Sequence, residues 1–124
     1  MSRYVLVYTK ASKKKEVGRV VTYDKEGVIG IFHRKAPLTQ FLEPGQLVIA
    51  KILSMKGRNR HFYILYPVHI VKSDRIPIQY DRNLEIWGEE PYKELRRRRM
   101  RRRASIVKEK LKKVEKEINR FRES

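Results

Sequence analysis

The chain contains no cysteine. Disulfide scaffolding, thiolate nucleophiles and cysteine-ligated zinc are therefore excluded. His33, His61 and His69 are the only histidines and show no metal-ligand spacing. There is no Gly-rich phosphate loop, no HExxH and no nucleophile elbow. Glu89, Glu90, Asp74 and Asp81 have no evident acid–base partner, and a metal-dependent nuclease needs clustered carboxylates. The expectation is a non-catalytic protein without cofactor or metal. The apolar run in MSRYVLVYTKASKKK is too short for a signal peptide, and no stretch approaches membrane-spanning length. A cytoplasmic location and no membrane partner are expected. Acidic residues are scarce, 14 against 31 basic ones, for a net charge of +17.

That imbalance opposes a compact isolated chain and favours a polyanionic partner. It is not confined to one tail: residues 1–89 carry 16 basic and 8 acidic groups, and residues 90–124 carry 15 and 6. A Lys/Glu/Arg-rich thermophilic surface would explain high charge but not its sign. The composition nonetheless has an archaeal, thermophilic look.

Seven arginines occupy positions 96–103, namely Arg96, Arg97, Arg98, Arg99, Arg101, Arg102 and Arg103, interrupted by Met100 alone. Guanidinium groups packed so closely repel one another unless an anion lies between them, and their planar donors suit phosphate oxygens. Nucleic acid is the expected anion. A plain solvated charge run or a nuclear localisation signal is the bland alternative. Membrane binding is disfavoured because the apolar seam is narrow and begins as the arginines end.

Glu89-Glu90-Pro91 reads as a helix start, and neither glycine nor proline follows. Met100, Ala104, Val107, Leu111, Val114, Ile118 and Phe121 then recur at alternating steps of four and three, a heptad seam. The expected helix runs about 30 residues, or about 45 Å, and part of it projects. Arginines then surround its axis, and such a rod fits a groove or cleft between phosphate strands. The seam of Val107, Leu111, Val114, Ile118 and Phe121 packs either on the chain's own globular part or on a partner helix. The first reading is preferred, because three heptads make a marginal independent coiled coil.

Upstream the pattern is β. RYVLVY (3–8) is a short β-branched and aromatic run, followed by a basic loop whose Lys13-Lys14-Lys15 reads as an electrostatic arm. EVGRVVTY (16–23) and VIGIFH (28–33) flank Asp-Lys-Glu-Gly, a hairpin signal. After the loop 34–41, Leu42-Glu43-Pro44-Gly45 has the proline–glycine order of a type II turn. It opens the longest strand, QLVIAKILSM (46–55). A basic hairpin, Lys56 to Arg60, leads to HFYILY (61–66), and Pro67 interrupts before VHIVK (68–72). Period two puts Val48, Ala50 and Ile52 inward, Lys51 outward, and Leu47, Ile49 and Leu53 on a second apolar face that something must cover. Phe62 and Ile64 are expected in the core, with His61 and Tyr63 on the surface.

Lys56, Arg58 and Arg60, with His61 and Tyr63 beyond them, pair charge with aromatic faces, a mixture suited to backbone tracking and base stacking. A plain solvated hairpin tip is the alternative. Arg19, Tyr23, Phe32, His33, Arg34 and Lys35 extend this candidate surface along the first hairpin.

The segments GRVVTYDKEGVIGIF and LEPGQLVIAKILSMKGRNRHFYIL resemble small RNA-binding OB-type barrels, especially TRAM domains and the barrel repeats of ribosomal proteins. Glu43-Pro44-Gly45-Gln46 and Val48-Ile49-Ala50-Lys51-Ile52 stand where those families have a Pro-Gly turn and a V-x-A-K-I strand. The resemblance covers residues 16–72 and implies a barrel fold with RNA contact through the Lys56–Arg60 hairpin. The chain departs from those families in showing no companion catalytic segment, and residues 90–124 have no counterpart in them. The expected fold is mainly β with α: a small five- to six-stranded OB-like β-barrel over 1–89, followed by a long basic C-terminal α-helix over 90–124. The expected function is non-catalytic RNA binding in a ribonucleoprotein such as a ribosomal subunit, with RNA favoured over DNA. Ribosomal proteins or a second copy would be partners through the C-terminal helix. Two alternatives remain: a single-stranded DNA-binding or chromatin protein, viral ones included, and a protein-interaction adaptor using the heptad helix.

Overall fold

The computed structural model describes residues 3–11, 20–23, 27–56, 62–71 and 84–123. The strands are β1 (Arg3–Tyr8), β2 (Lys10–Ala11), β3 (Val20–Tyr23), β4 (Ile29–Phe32), β5 (Leu47–Lys56), β6 (Phe62–Val71) and β7 (Leu84–Ile86). A 3-10 turn spans Pro37–Phe41, and two helices follow, α1 (Pro91–Arg97) and α2 (Arg101–Glu123). The strands form one sheet in the order β2-β3-β4-β6-β5-β1-β7. It is curled into a half-barrel, with α2 following it in the chain. All described pairings are antiparallel except β4 with β6. This architecture is compatible with an OB-like fold.

Both faces of the sheet are apolar, and each has its own cover. Val5, Val7, Val48, Ala50, Tyr63 and Leu65 meet inside the curl. Tyr4, Leu6, Leu47, Ile49, Tyr66 and Val68 point the other way and meet Ala104, Val107, Leu111, Val114 and Ile118 of α2. The α2 seam therefore packs on the chain's own sheet, over the second face of β5 as period two required. Seam residues and strand residues share one hydrophobic cluster, so α2 completes the core. Burial extends along the helix to Ile118, where projection of a free end was expected.

Two strand-level expectations are corrected. Pro67 does not end a strand: β6 runs through it from Phe62 to Val71. The ladder with β5 shifts register between Ile49 and Ala50, opposite His69 and Pro67. On its other side β6 pairs with β4 only at residues 62–65. The missing proline N–H thus falls at a bulge, beside a stretch of β6 that no other described strand pairs, where it costs little. Tyr63 is buried inside the curl and Phe62 and Ile64 are only half-buried, the reverse of the expected parity. A second register shift, between Ile52 and Ser54, accompanies the reversal. Lys51 faces away from the curl, as expected, yet only 2% of it is exposed, because α2 covers it.

Two glycines meet local demands. Gly45 has φ of 83°, the positive value a type II turn requires at its third residue, which frames the turn as Glu43-Pro44-Gly45-Gln46. Its N–H donates to the Thr9 carbonyl at 2.8 Å, and the buried Thr9 hydroxyl donates to the Glu43 carbonyl at 2.5 Å. The Pro-Gly turn is thereby fastened to the end of β1. At Gly30 an added Cβ would lie 2.7 Å from Thr22 Cγ2 and 2.9 Å from Leu65 Cδ1, so no larger residue fits without rearrangement.

Candidate nucleic-acid interface

The arginine block is not part of one continuous helix. α1 ends at Arg97, Arg99 adopts φ of 62°, and α2 begins at Arg101. The break is a Schellman motif. The Arg99 N–H donates to the Arg96 carbonyl at 3.0 Å, and the Met100 N–H to the Leu95 carbonyl at 2.9 Å. The Met100 side chain packs against the cluster that contains Leu95, the apolar contact this motif favours. The Met100 carbonyl then accepts from the Ala104 N–H at 2.9 Å and starts α2.

The break has a physical cause in the sequence. In a continuous helix Leu95, five residues before Met100, would sit about 140° away from the seam and face water. The turn at 98–100 lets Leu95 be buried to 1% exposure in the same cluster as Ala104 and Val107. It also separates like charges that one helix would stack at i,i+3 and i,i+4 spacing. The expectation of one helix ringed by arginine is corrected accordingly.

The arginines divide by role. Arg98 is internal to the protein: it pairs with Glu85 of β7, donates from Nε to Glu94 at 3.1 Å, and stacks its guanidinium 5.1 Å from the Trp87 ring centroid. Arg97 pairs with Glu94 at 2.5 Å but stays largely exposed. Arg96 lies over one side of the Tyr92 ring at 5.6 Å, and Lys108 lies near the same ring at 5.5 Å. Among the described residues, Arg99, Arg101 and Arg102 are exposed and form no ion pair. Arg103 is half-buried on the flank of α2.

Acidic side chains near this surface are mostly turned toward the protein. Glu115 receives the Lys51 ammonium at 2.5 Å and the Tyr4 hydroxyl at 2.8 Å. Glu117 accepts from the Tyr66 hydroxyl at 2.5 Å. Burial first, and then the adjoining carboxylates, raise both phenols well above the ordinary tyrosine range, so they remain donors. Glu90 is held by Lys93 at 2.5 Å and by the Tyr92 hydroxyl at 2.8 Å, and the Lys93 contact leads in lowering its pKa. Arg101, Arg102, Lys108, Lys112, Lys113, Lys116 and Arg120 stay exposed on α2, with Glu109 the acid among them. The outer face of α2 is thus a basic stripe continuous with the arginine turn.

His69 lies beside this stripe without adding to its charge. Lys110 Nζ stands 2.8 Å from His69 Nδ1, which places the imidazole proton on Nε2. Burial, then the Lys110 and Arg103 charges, push its pKa down to about 4. Its Nε2 is buried and has no partner among the described residues.

The remaining sequence-derived candidates separate from this surface. Arg34 and Lys35 are exposed on the turn after β4, where the Lys35 N–H donates to His33 Nδ1 at 3.1 Å. Tyr63 and Phe32 are buried and present no ring to a ligand. Arg19, Arg58, Arg60 and His61 lie outside the described residues, as do the side chains of Lys56 and Phe121. Val107, Leu111, Val114 and Ile118 are covered by the sheet and are not a free seam for a partner helix. Phe41 was not singled out from the sequence, yet it is 63% exposed at the end of the 3-10 turn that follows Arg34 and Lys35. Aromatic residues default to the core in a sequence reading, and only its place after Pro37 distinguishes it.

Among the described residues, no group of three His, Asp or Glu side chains could hold a metal ion, and no helix is long and apolar enough to cross a membrane. No protein-family model, curated protein or solved structure matches the chain.

Proposed function

We propose that this chain is a non-catalytic RNA-binding protein that works within a large ribonucleoprotein such as a ribosomal subunit. It contacts structured RNA through the arginine turn and the outer face of α2. The observation that carries this reading is the one-sidedness of the charge. Glu115, Glu117 and Glu94 are engaged by the protein's own side chains, whereas Arg99, Arg101 and Arg102 are exposed and form no ion pair among the described residues. A merely soluble surface would intersperse the two signs. The OB-like curl and the resemblance of residues 16–72 to RNA-binding barrels support the same reading. Burial of Tyr63 weighs against single-stranded DNA binding, which would use such rings as stacking platforms.

Filter binding of the full chain to structured RNA across a salt series tests it. With about six to eight phosphates engaged, log K is expected to fall against log salt with a slope of about −5 to −7 on a duplex scale. An affinity that hardly changes with salt would rule out phosphate contact as the main term. Equal or tighter binding of a matched DNA oligomer would count against RNA as the partner.

A further inference from the structure

The shape of the arginine block narrows the kind of RNA it fits, an inference that rests on the RNA-binding reading above. Tyr92 and Lys108 lie on opposite sides of the break, yet the Lys108 ammonium is 5.5 Å from the Tyr92 ring. Leu95 and Ala104 share one cluster. α1 therefore folds back along the first turns of α2, and the break at Arg98–Met100 is the tip of a helical hairpin. Arg96 and Arg97 stand on one arm, Arg101 and Arg102 on the other, and all four are exposed. Arg99 lies at the tip.

Arg99 is the one non-glycine residue with positive φ among those described. Glycine is the usual occupant of this Schellman position, because a side chain there costs backbone energy. The Arg99 side chain is exposed and forms no ion pair among the described residues. The strained position thus carries a side chain that is exposed and open to an external contact.

Two helices side by side are about 20 Å across, given a diameter of 10–12 Å each and an axial spacing of 8–10 Å. The major groove of an A-form duplex is deep and narrow, and its minor groove is shallow. A single arginine-rich helix could be accommodated in a widened groove; a two-helix tip is too wide. A basic wedge with guanidinium groups on both flanks matches phosphate strands that diverge on either side of it.

We propose that the Arg96–Arg103 tip docks where RNA strands diverge at a helical junction, with Arg99 as its apex contact to a backbone phosphate. Fluorescence anisotropy with the full chain compares a three-way RNA junction with a duplex of equal nucleotide number, at one moderate salt concentration. The junction is expected to bind at least about tenfold more tightly, the equivalent of one strong charge-assisted contact. Arg99→Gly is expected to lose about tenfold in junction affinity and about one unit of salt slope. Its thermal midpoint should stay equal or rise, since glycine relieves the strained φ. Equal affinity for the two RNAs would overturn the junction proposal while leaving RNA binding intact. Wild-type junction binding by Arg99→Gly would overturn the role of Arg99. Salt-insensitive binding to both RNAs would remove the underlying RNA reading as well.

Discussion

Lys51 shows how one residue changes meaning once its neighbours are known. In the sequence it is the lone charge in an apolar strand, and alternation turns it away from the barrel interior. In the structure that outward face is beneath α2, so the ammonium is almost wholly removed from water. Its ammonium pairs with Glu115 at 2.5 Å, and the Tyr4 hydroxyl donates to the same carboxylate oxygen at 2.8 Å. Removing one partner of such a pair leaves a buried charge uncompensated. Glu115→Ala is expected to lower unfolding free energy by about 2 kcal/mol, below the range for fully buried pairs because Glu115 is itself partly exposed. Lys51→Met combined with Glu115→Leu should recover most of that loss. Urea unfolding of the single and double variants measures both, and an unchanged midpoint for Glu115→Ala would show that the pair does not hold α2. The linkage between positions 51 and 115 was not legible in the sequence, since only the docked helix brings them together.

At the scale of the element, the interruption of the arginine run by Met100 acquires a reason. Met100 follows the left-handed Arg99, supplies the N–H that caps α1 and the carbonyl that starts α2, and packs into the helix–sheet cluster. An arginine there would keep the backbone bonds but lose the apolar contact. Met100→Arg, which completes the arginine run, is expected to destabilise the fold by about 1–2 kcal/mol, an ordinary loss for a partly buried apolar side chain. Thermal unfolding followed by circular dichroism would check it, and an unchanged midpoint would contradict the staple role. The break was partly legible. The heptad seam runs back from Ile118 to Met100 and stops, and Leu95 is out of phase with it. An apolar residue off phase beside a charged block signals a change of helix direction, whereas the absence of glycine and proline argues for continuity and prevails in a reading by composition.

At the scale of the molecule, the globule and its basic helix are one folding unit with two apolar interfaces. The curl of the sheet closes over Val5, Val48, Tyr63 and Leu65, and α2 closes over Leu47, Ile49 and Tyr66. A chain lacking residues 104–124 would expose the second face of β5 and leave Lys51 unpaired. It is expected to lose cooperative thermal unfolding and to aggregate, because an open apolar sheet face has no substitute cover. Sharp two-state unfolding of the truncated chain would contradict this. The same removal cannot serve as a clean test of an adaptor role for the helix, since it removes part of the core.

The sequence alone determined what depends on residue type and short-range period. The excess of positive charge, the strand pattern, the positive-φ glycine of the Pro-Gly turn and the apolar seam of α2 can all be read locally, because each follows from neighbours within a few positions. Only the tertiary structure decided which charges remain available. Whether a glutamate neutralises an adjacent lysine on its own helix or reaches inward to Tyr4, Lys51 or Tyr66 depends on groups 51 to 111 positions away. The facing of Tyr63, and the helix reversal that gathers the arginines at a tip, are likewise settled by packing. Burial of Leu95 and Met100 outweighs the modest preference of an arginine run for an unbroken helix.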